Sequence, residues 1–122
     1  MIIGVGVDIV EVARVRAALT NARTGARFRD RVFTPEEVAY CERRRNCHES
    51  FAARFAAKEA MMKTLGGAFG WREIEVARSS GPPRLRLHGR AQAHAEALGI
   101  RRLSLSLSHT TEMAIAYVVA ES

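Results

Sequence analysis

The chain carries seventeen arginines but only two lysines, Lys58 and Lys63, and both lysines fall within one six-residue window. A bias toward arginine explains why lysine is rare, but not why the two that occur are clustered. A lysine ammonium is a compact point charge suited to meeting phosphate. Glu59 lies between the two lysines, in the run R-F-A-A-K-E-A-M-M-K. A second carboxylate, Asp8, closes the apolar run I-I-G-V-G-V-D. Burying such a carboxylate is costly unless a cation or hydrogen-bond donors satisfy it. An N-cap for the following helix would account for Asp8 equally well.

Glu59 and Lys63 are four residues apart and so neighbours on one helix face. As a solvated pair they would contribute only tenths of a kcal/mol. The sharper reading is that Asp8 and Glu59 together hold Mg²⁺. This hard cation takes one or two protein carboxylates and fills its shell with water and substrate phosphates. Lys63, one turn on, would then face the phosphate charge. His109 stands at a strand end between Ser108 and Thr110. A lone histidine is more often structural, but this polar cluster also suits a substrate rim. His48, His88 and His94 read as surface residues.

Several chemistries are missing. The glycines of G-V-G-V-D do not form the G-x-G-x-x-G dinucleotide fingerprint, and no G-x-x-x-x-G-K-[ST] loop occurs. No nucleophile elbow accompanies the Ser, His and Asp residues. Cys41 and Cys47 alone make neither a disulfide framework nor a four-thiolate zinc site.

The elements that must position these residues follow from periodicity. Residues 2–9 read as a short, largely buried strand. Residues 10–22 have helical spacing, with Val12, Val15 and Leu19 in one stripe. Residues 25–32 form a basic connector or short helix. Thr34-Pro35-Glu36-Glu37 has a capping box and a proline at the first helical position, so a helix should run to about residue 45. Arg43, Arg44 and Arg45 would then sit at its negative pole. Residues 48–65 are the clearest helix, rich in helix formers and stopped at Gly66-Gly67. Residues 71–78 and 84–88 alternate like strands and flank a turn at 79–83, which predicts a hairpin. Residues 89–99 form an Ala-rich helix. Residues 103–107 and 113–120 are two further strands. The order predicts an α+β fold: a mainly antiparallel sheet with a long central helix and flanking helices on one side.

The length of 122 residues suits one domain, 1–122. The net charge of +6 predicts an anionic partner. No apolar run approaches the roughly 18 residues needed to span a bilayer, and no charged segment followed by an apolar one opens the chain. These features predict a soluble cytoplasmic protein.

Taken together, the motifs resemble the holo-acyl-carrier-protein synthases, the short bacterial class of 4′-phosphopantetheinyl transferases. The resemblance runs through G-V-G-V-D-I at 4–9, R-F-R-D-R-V-F-T-P-E-E at 27–37 and R-F-A-A-K-E-A-M-M-K at 54–63. It continues through the turn at 81–83 and ends with S-L-S-H-T at 106–110. It implies the phosphopantetheinyl transferase fold and a Mg²⁺-dependent transfer of 4′-phosphopantetheine from coenzyme A to a serine of apo acyl carrier protein. Adenosine 3′,5′-bisphosphate would leave. Asp8 and Glu59 match the family's Mg²⁺ ligands, and Lys63 the lysine near the pyrophosphate. Arg54, Gly66, Pro83, Ser108, His109 and Thr110 fall in segments lining the coenzyme A site, with Arg45 near the 3′-phosphate. The serine proton could go to a metal-bound water, a carboxylate or His109. Arg14 and Arg27 match positions that grip the acidic carrier protein, which gives the positive charge a partner.

The resemblance also implies a homotrimer with sites at subunit boundaries, and a role in fatty-acid or polyketide synthesis. It argues against membrane or nucleic acid as partner. A nucleic-acid module would need a stacking platform, yet the chain has only eight aromatics, several at core-like positions. A nucleotide pyrophosphatase would need a denser acidic cluster than Asp8 with Glu59.

Overall fold

The computed structural model describes residues 1–78 and 80–122. It runs β1 (Ile2–Glu11), α1 (Val12–Thr20), α2 (Gly25–Val32), α3 (Pro35–Glu42) and α4 (Cys47–Leu65). A single 3₁₀ turn (Trp71–Glu73) leads into β2 (Ile74–Ala77), β3 (Arg84–Leu87), α5 (Gly89–Ala97), β4 (Arg102–His109) and β5 (Met113–Glu121). Strands β1, β5 and β4 form an antiparallel sheet in that order, and β2 with β3 forms a separate antiparallel hairpin. The expected α+β architecture is present. Ser79, at the start of the expected turn, lies outside the described residues.

Helix α4 is the centre of the core. Phe51, Ala52, Ala53, Ala56, Ala57, Ala60, Met61 and Leu65 are all buried. Its alanines let the sheet approach closely, and Gly6 completes the fit: a Cβ there would strike the Ala60 carbonyl oxygen. The glycines of G-V-G-V-D therefore serve packing. Because side chains alternate along a strand, Asp8 shares the helix-facing side with Gly6 and Val10.

β1 departs from the expected buried strand. Val5 and Ile9 are 52% and 60% exposed, and Ile3 and Val7 are also open. Only the side against α4 is covered, so an almost wholly apolar strand still leaves one face to solvent. Ile115 and Tyr117 of β5 extend this open face.

β1 continues to Glu11, which pairs with Met113, so α1 begins two residues later than its periodicity indicates. Glu11, not Asp8, precedes α1. Asp8 pairs with Ala116 inside the sheet, which removes the N-cap explanation. Helix α3 stops at Glu42 with Arg43 as its C-cap, so Arg43 does sit at the exposed helical end, whereas Arg44 and Arg45 lie in the turn to α4. The first residues of the expected strand 71–78 form the 3₁₀ turn instead. Glu73 holds it by accepting from the Gly70 and Ala91 backbone N–H groups at 2.7 and 3.0 Å.

The capping box at Thr34 is present and is built into the core. The Glu37 N–H donates to Thr34 Oγ1 (3.2 Å), and the Thr34 N–H donates to Glu37 Oε1 (2.9 Å). Lys58 Nζ reaches the same Glu37 oxygen at 2.8 Å, and also donates to the carbonyls of Trp71 (3.1 Å) and Ile74 (2.6 Å). The Val76 N–H donates to Glu37 Oε2 at 2.9 Å, and Thr34 Oγ1 donates to Glu75 Oε2 at 2.7 Å. Lys58 and Glu37 are fully buried. This network ties the β2–β3 hairpin to α3 and α4. His88 belongs to its edge, with Nε2 3.0 Å from Glu75 Oε1, and His94 Nε2 lies 3.0 Å from the Leu65 carbonyl. His88 remains a surface residue despite this contact, as its sequence context suggests, whereas His94 is half-buried.

Candidate active site

Two groups of polar side chains are arranged along α4. The first lies where β1 crosses the helix. Lys63 Nζ donates to Asp8 Oδ1 at 2.9 Å and to the Val7 carbonyl at 3.1 Å. Asp8 is largely buried, with a side chain 11% exposed, and its Oδ2 has no hydrogen-bond partner among the described residues. Glu59 lies beside it. Burial, and then the neighbouring Asp8 carboxylate, push the Glu59 carboxyl above its ordinary range, against the pull of Lys63 and Arg14.

Two carboxylates are therefore held together with one buried oxygen unsatisfied, an arrangement that a hard divalent cation would complete. No cluster of three or more His, Cys, Asp and Glu side chains forms a metal site among the described residues. A two-carboxylate site suits Mg²⁺, which retains water and takes phosphate oxygens as further ligands. The donors fit the ion expected from the sequence. Asp8, Glu59 and Lys63 meet as anticipated, whereas Lys58, one residue before Glu59, faces the opposite way into the core.

The second group surrounds a cavity of about 300 Å³ lined by Tyr40, Arg44, Arg54, Arg78, Pro83 and His109, among others. Arg54 is 4% exposed, yet its Nε has no partner among the described residues. Its guanidinium stacks 4.2 Å from the Tyr40 ring centroid, and that of Arg44 lies 5.2 Å from the same ring. A buried guanidinium without a carboxylate partner favours an anion. His109 Nδ1 lies 2.8 Å from Glu49 Oε1.

Other expected site residues stand apart from this cavity. Ser108 is exposed opposite Ile115, on the open side of the sheet. Thr110 Oγ1 accepts the backbone N–H groups of Glu112 (3.2 Å) and Met113 (3.1 Å), which closes the β4–β5 turn. Gly66 ends α4 at φ 76°, a left-handed value that favours glycine. Arg45 is exposed in the turn before α4. Arg14 and Arg27 are exposed on α1 and α2.

The sequence offers little warning of Glu49, Tyr40 or Arg78. Glu49 reads as an ordinary acidic residue in a first helical turn. Tyr40 reads as a helix-face aromatic, and Arg78 as one arginine among seventeen. Each gains its setting only from a distant segment.

The family model of the 4′-phosphopantetheinyl transferase superfamily matches residues 4–118. A holo-[acyl-carrier-protein] synthase of Koribacter versatilis is 47% identical over 126 residues, covering 99% of both chains. The crystal structure of the holo-[acyl-carrier-protein] synthase of Neisseria meningitidis aligns over 100% of both chains with a TM-score of 0.84 and 34% identity. That of Bacillus anthracis, in complex with CoA (3′,5′-ADP), aligns over 100% of this chain and 98% of its own, with a TM-score of 0.80 and 32% identity. The chain belongs to the 4′-phosphopantetheinyl transferase superfamily, among its holo-[acyl-carrier-protein] synthases.

Proposed function

We propose that this domain, residues 1–122, transfers 4′-phosphopantetheine from coenzyme A to a serine hydroxyl of an apo acyl carrier protein. The observation that carries the reading is the meeting of Asp8, Glu59 and Lys63, with one Asp8 oxygen buried and unpartnered. The serine oxygen forms a bond to the phosphopantetheine phosphorus, the pyrophosphate P–O bond breaks, and adenosine 3′,5′-bisphosphate leaves. The serine proton goes to a base, for which a carboxylate, His109 and a bound water are candidates.

Phosphoryl transfer depends on positioning and charge neutralisation. Asp8 and Glu59 would hold Mg²⁺, which when bound polarises the phosphates and offsets developing charge. Lys63, already fixed by Asp8 and the Val7 carbonyl, places a cation beside the pyrophosphate. Arg54, with Arg44 and Arg78 at the same cavity, offers fixed positive charge to further phosphate of coenzyme A. Pro83 and His109 border it. Gly66, Ser108, Thr110 and Arg45 complete the coenzyme A contacts that the family resemblance assigns. The test is the intact mass of an apo acyl carrier protein after incubation with the protein, coenzyme A and Mg²⁺. A gain of one phosphopantetheine group, lost with EDTA, supports the reading. No gain from a folded, coenzyme A-binding protein overturns it.

The acidic carrier would dock on the basic surface of α1 and α2, where Arg14 and Arg27 are exposed. Arg14 also acts on Glu59 through its charge, so Arg27 isolates docking from the site. Arg27→Glu is expected to raise the KM for carrier about tenfold at low salt, because rim charges govern encounter. Affinity for coenzyme A should stay unchanged. An unchanged carrier KM removes Arg27 from the docking surface.

The open face of Ile3, Val5, Val7, Ile9, Ile115 and Tyr117 supports a homotrimer, since so contiguous an apolar patch marks an interaction surface. The arrangement along α4 supports sites shared between subunits. Glu49 and Glu59 are ten residues apart, about 15 Å along the helix. The basic cavity of one chain can therefore face the carboxylate pair of another. Sedimentation equilibrium should give three times the chain mass of 13.5 kDa, and a single-chain mass overturns the trimer. Among the described residues, no helix is long and apolar enough to cross a membrane. We place the protein in the cytoplasm, serving fatty-acid or polyketide synthesis.

A further inference from the structure

The His109 ring is held at one nitrogen. Its Nδ1 lies 2.8 Å from Glu49 Oε1, and no other hydrogen bond reaches the ring among the described residues. A carboxylate accepts but does not donate, so Nδ1 carries the proton. The neutral ring then offers the Nε2 lone pair, and the protonated ring offers the Nε2 N–H. The Glu49 side chain is 18% exposed against 34% for His109, so the carboxylate is the better shielded of the two. Glu49 lies in the first turn of α4, whereas His109 is the last residue of β4, beside a turn. A residue of the central core helix thus holds the end of a strand. The ring borders a cavity that also receives Arg44, Arg54 and Arg78, all cationic.

We propose that Glu49 is a positioning residue for the transfer reaction: its carboxylate fixes the orientation and tautomer of His109, so that Nε2 alone is available to the substrate. This rests on reading the cavity as part of the coenzyme A site. Glu49 touches neither substrate nor reacting atoms and acts through the imidazole.

Glu49→Gln separates this role from simple packing. Glutamine has nearly the same shape, but its amide both donates and accepts, so it does not select a tautomer. Long-range ¹⁵N–¹H spectra of the full chain, taken where the ring is neutral and assigned by loss of the signal in His109→Ala, report which nitrogen is protonated. We expect Nδ1–H in the natural protein and a shift toward Nε2–H in Glu49→Gln. The same variant should lose about 10²-fold in kcat/KM for coenzyme A, the scale expected for a misplaced reacting group. In a His109→Ala background the added loss should be within about twofold, because the two residues act as one unit. An unchanged tautomer in Glu49→Gln, or an equal loss in both backgrounds, overturns the role of Glu49. If adding coenzyme A leaves the natural protein's Nε2 signal unmoved, the substrate reading of the cavity fails, and the proposal fails with it.

Discussion

Glu59→Gln is expected to lower turnover by about 10³-fold or more, and at the same time to raise the stability of the metal-free protein at neutral pH. A cation that stabilises transition-state charge contributes several kcal/mol, and each 1.36 kcal/mol is about a factor of ten in rate. Glutamine keeps the volume of Glu59 but removes the charge that would hold Mg²⁺ beside Asp8. The stability gain has a separate origin. Burial and the Asp8 carboxylate raise the Glu59 carboxyl in the folded protein. A raised acid contributes stability that is fully present below its unfolded pKa, near 4.5, and is lost as the pH climbs through the folded value. Glu59→Gln lacks that loss.

Denaturation in EDTA should therefore show the natural protein weakening as pH rises from about 4.5, with a smaller decline in the variant. Adding Mg²⁺ should restore the natural protein by ligand linkage and leave the variant unchanged. Asp8→Asn should share the loss of turnover. Near-normal activity in either variant, or equal Mg²⁺ stabilisation of natural protein and Glu59→Gln, would remove the carboxylate pair as the metal site.

Lys58→Met is expected to cost about 3–5 kcal/mol of stability, because it strands a buried carboxylate. Burial pushes the Lys58 ammonium toward its neutral form, and the Glu37 carboxylate with its hydrogen bond opposes this. Removing the ammonium leaves the Ile74 carbonyl without its Lys58 donor and Glu37 without its cation, while the Trp71 carbonyl keeps the Ile74 N–H. Such a loss is a large share of the roughly 5–15 kcal/mol that holds an ordinary domain together. For a chain of this size the melting temperature should fall by roughly 10–20 °C.

The double variant Lys58→Met with Glu37→Gln should recover part of the loss. The amide oxygen that Glu37→Gln leaves in place can still accept from the Thr34 or the Val76 N–H group, and no isolated charge remains. A melting temperature for Lys58→Met within a few degrees of the natural protein would show that the pair carries little net stability. The effect also reaches the site. The network anchors the β2–β3 hairpin, whose connection carries Pro83 to the cavity.

Both lysines of K-E-A-M-M-K stand out in the sequence, but as one signal. The structure divides it into two roles: Lys58 is a core cation tying three segments, and Lys63 belongs to the carboxylate pair. Five residues along a helix turn a side chain by more than a full turn, so the neighbours see different faces. The capping box at Thr34 is legible because it is a local pattern of a few residues. Its use as the acceptor for a buried lysine is not, since Lys58 is 21 residues from Glu37. Likewise β1 reads as buried because nearly every residue beside its glycines and Asp8 is apolar. Burial, however, depends on what covers each face, and the helices cover one.

Local patterns suffice for the order of elements, the α+β class, the start of α3 and the end of α4, because periodicity, capping and glycine act over a few residues. They also single out candidate residue types, two carboxylates and a cation, but leave each with a structural alternative. It takes the folded chain to set Asp8 beside Glu59, from which it is remote in sequence, with one oxygen unsatisfied, and to rest His109 on Glu49. The physical reason is the close approach of β1 to α4, which Gly6 and Ala60 permit, together with the antiparallel register that carries the end of β4 to the first turn of the helix. These are contacts between distant segments, and no local pattern encodes them.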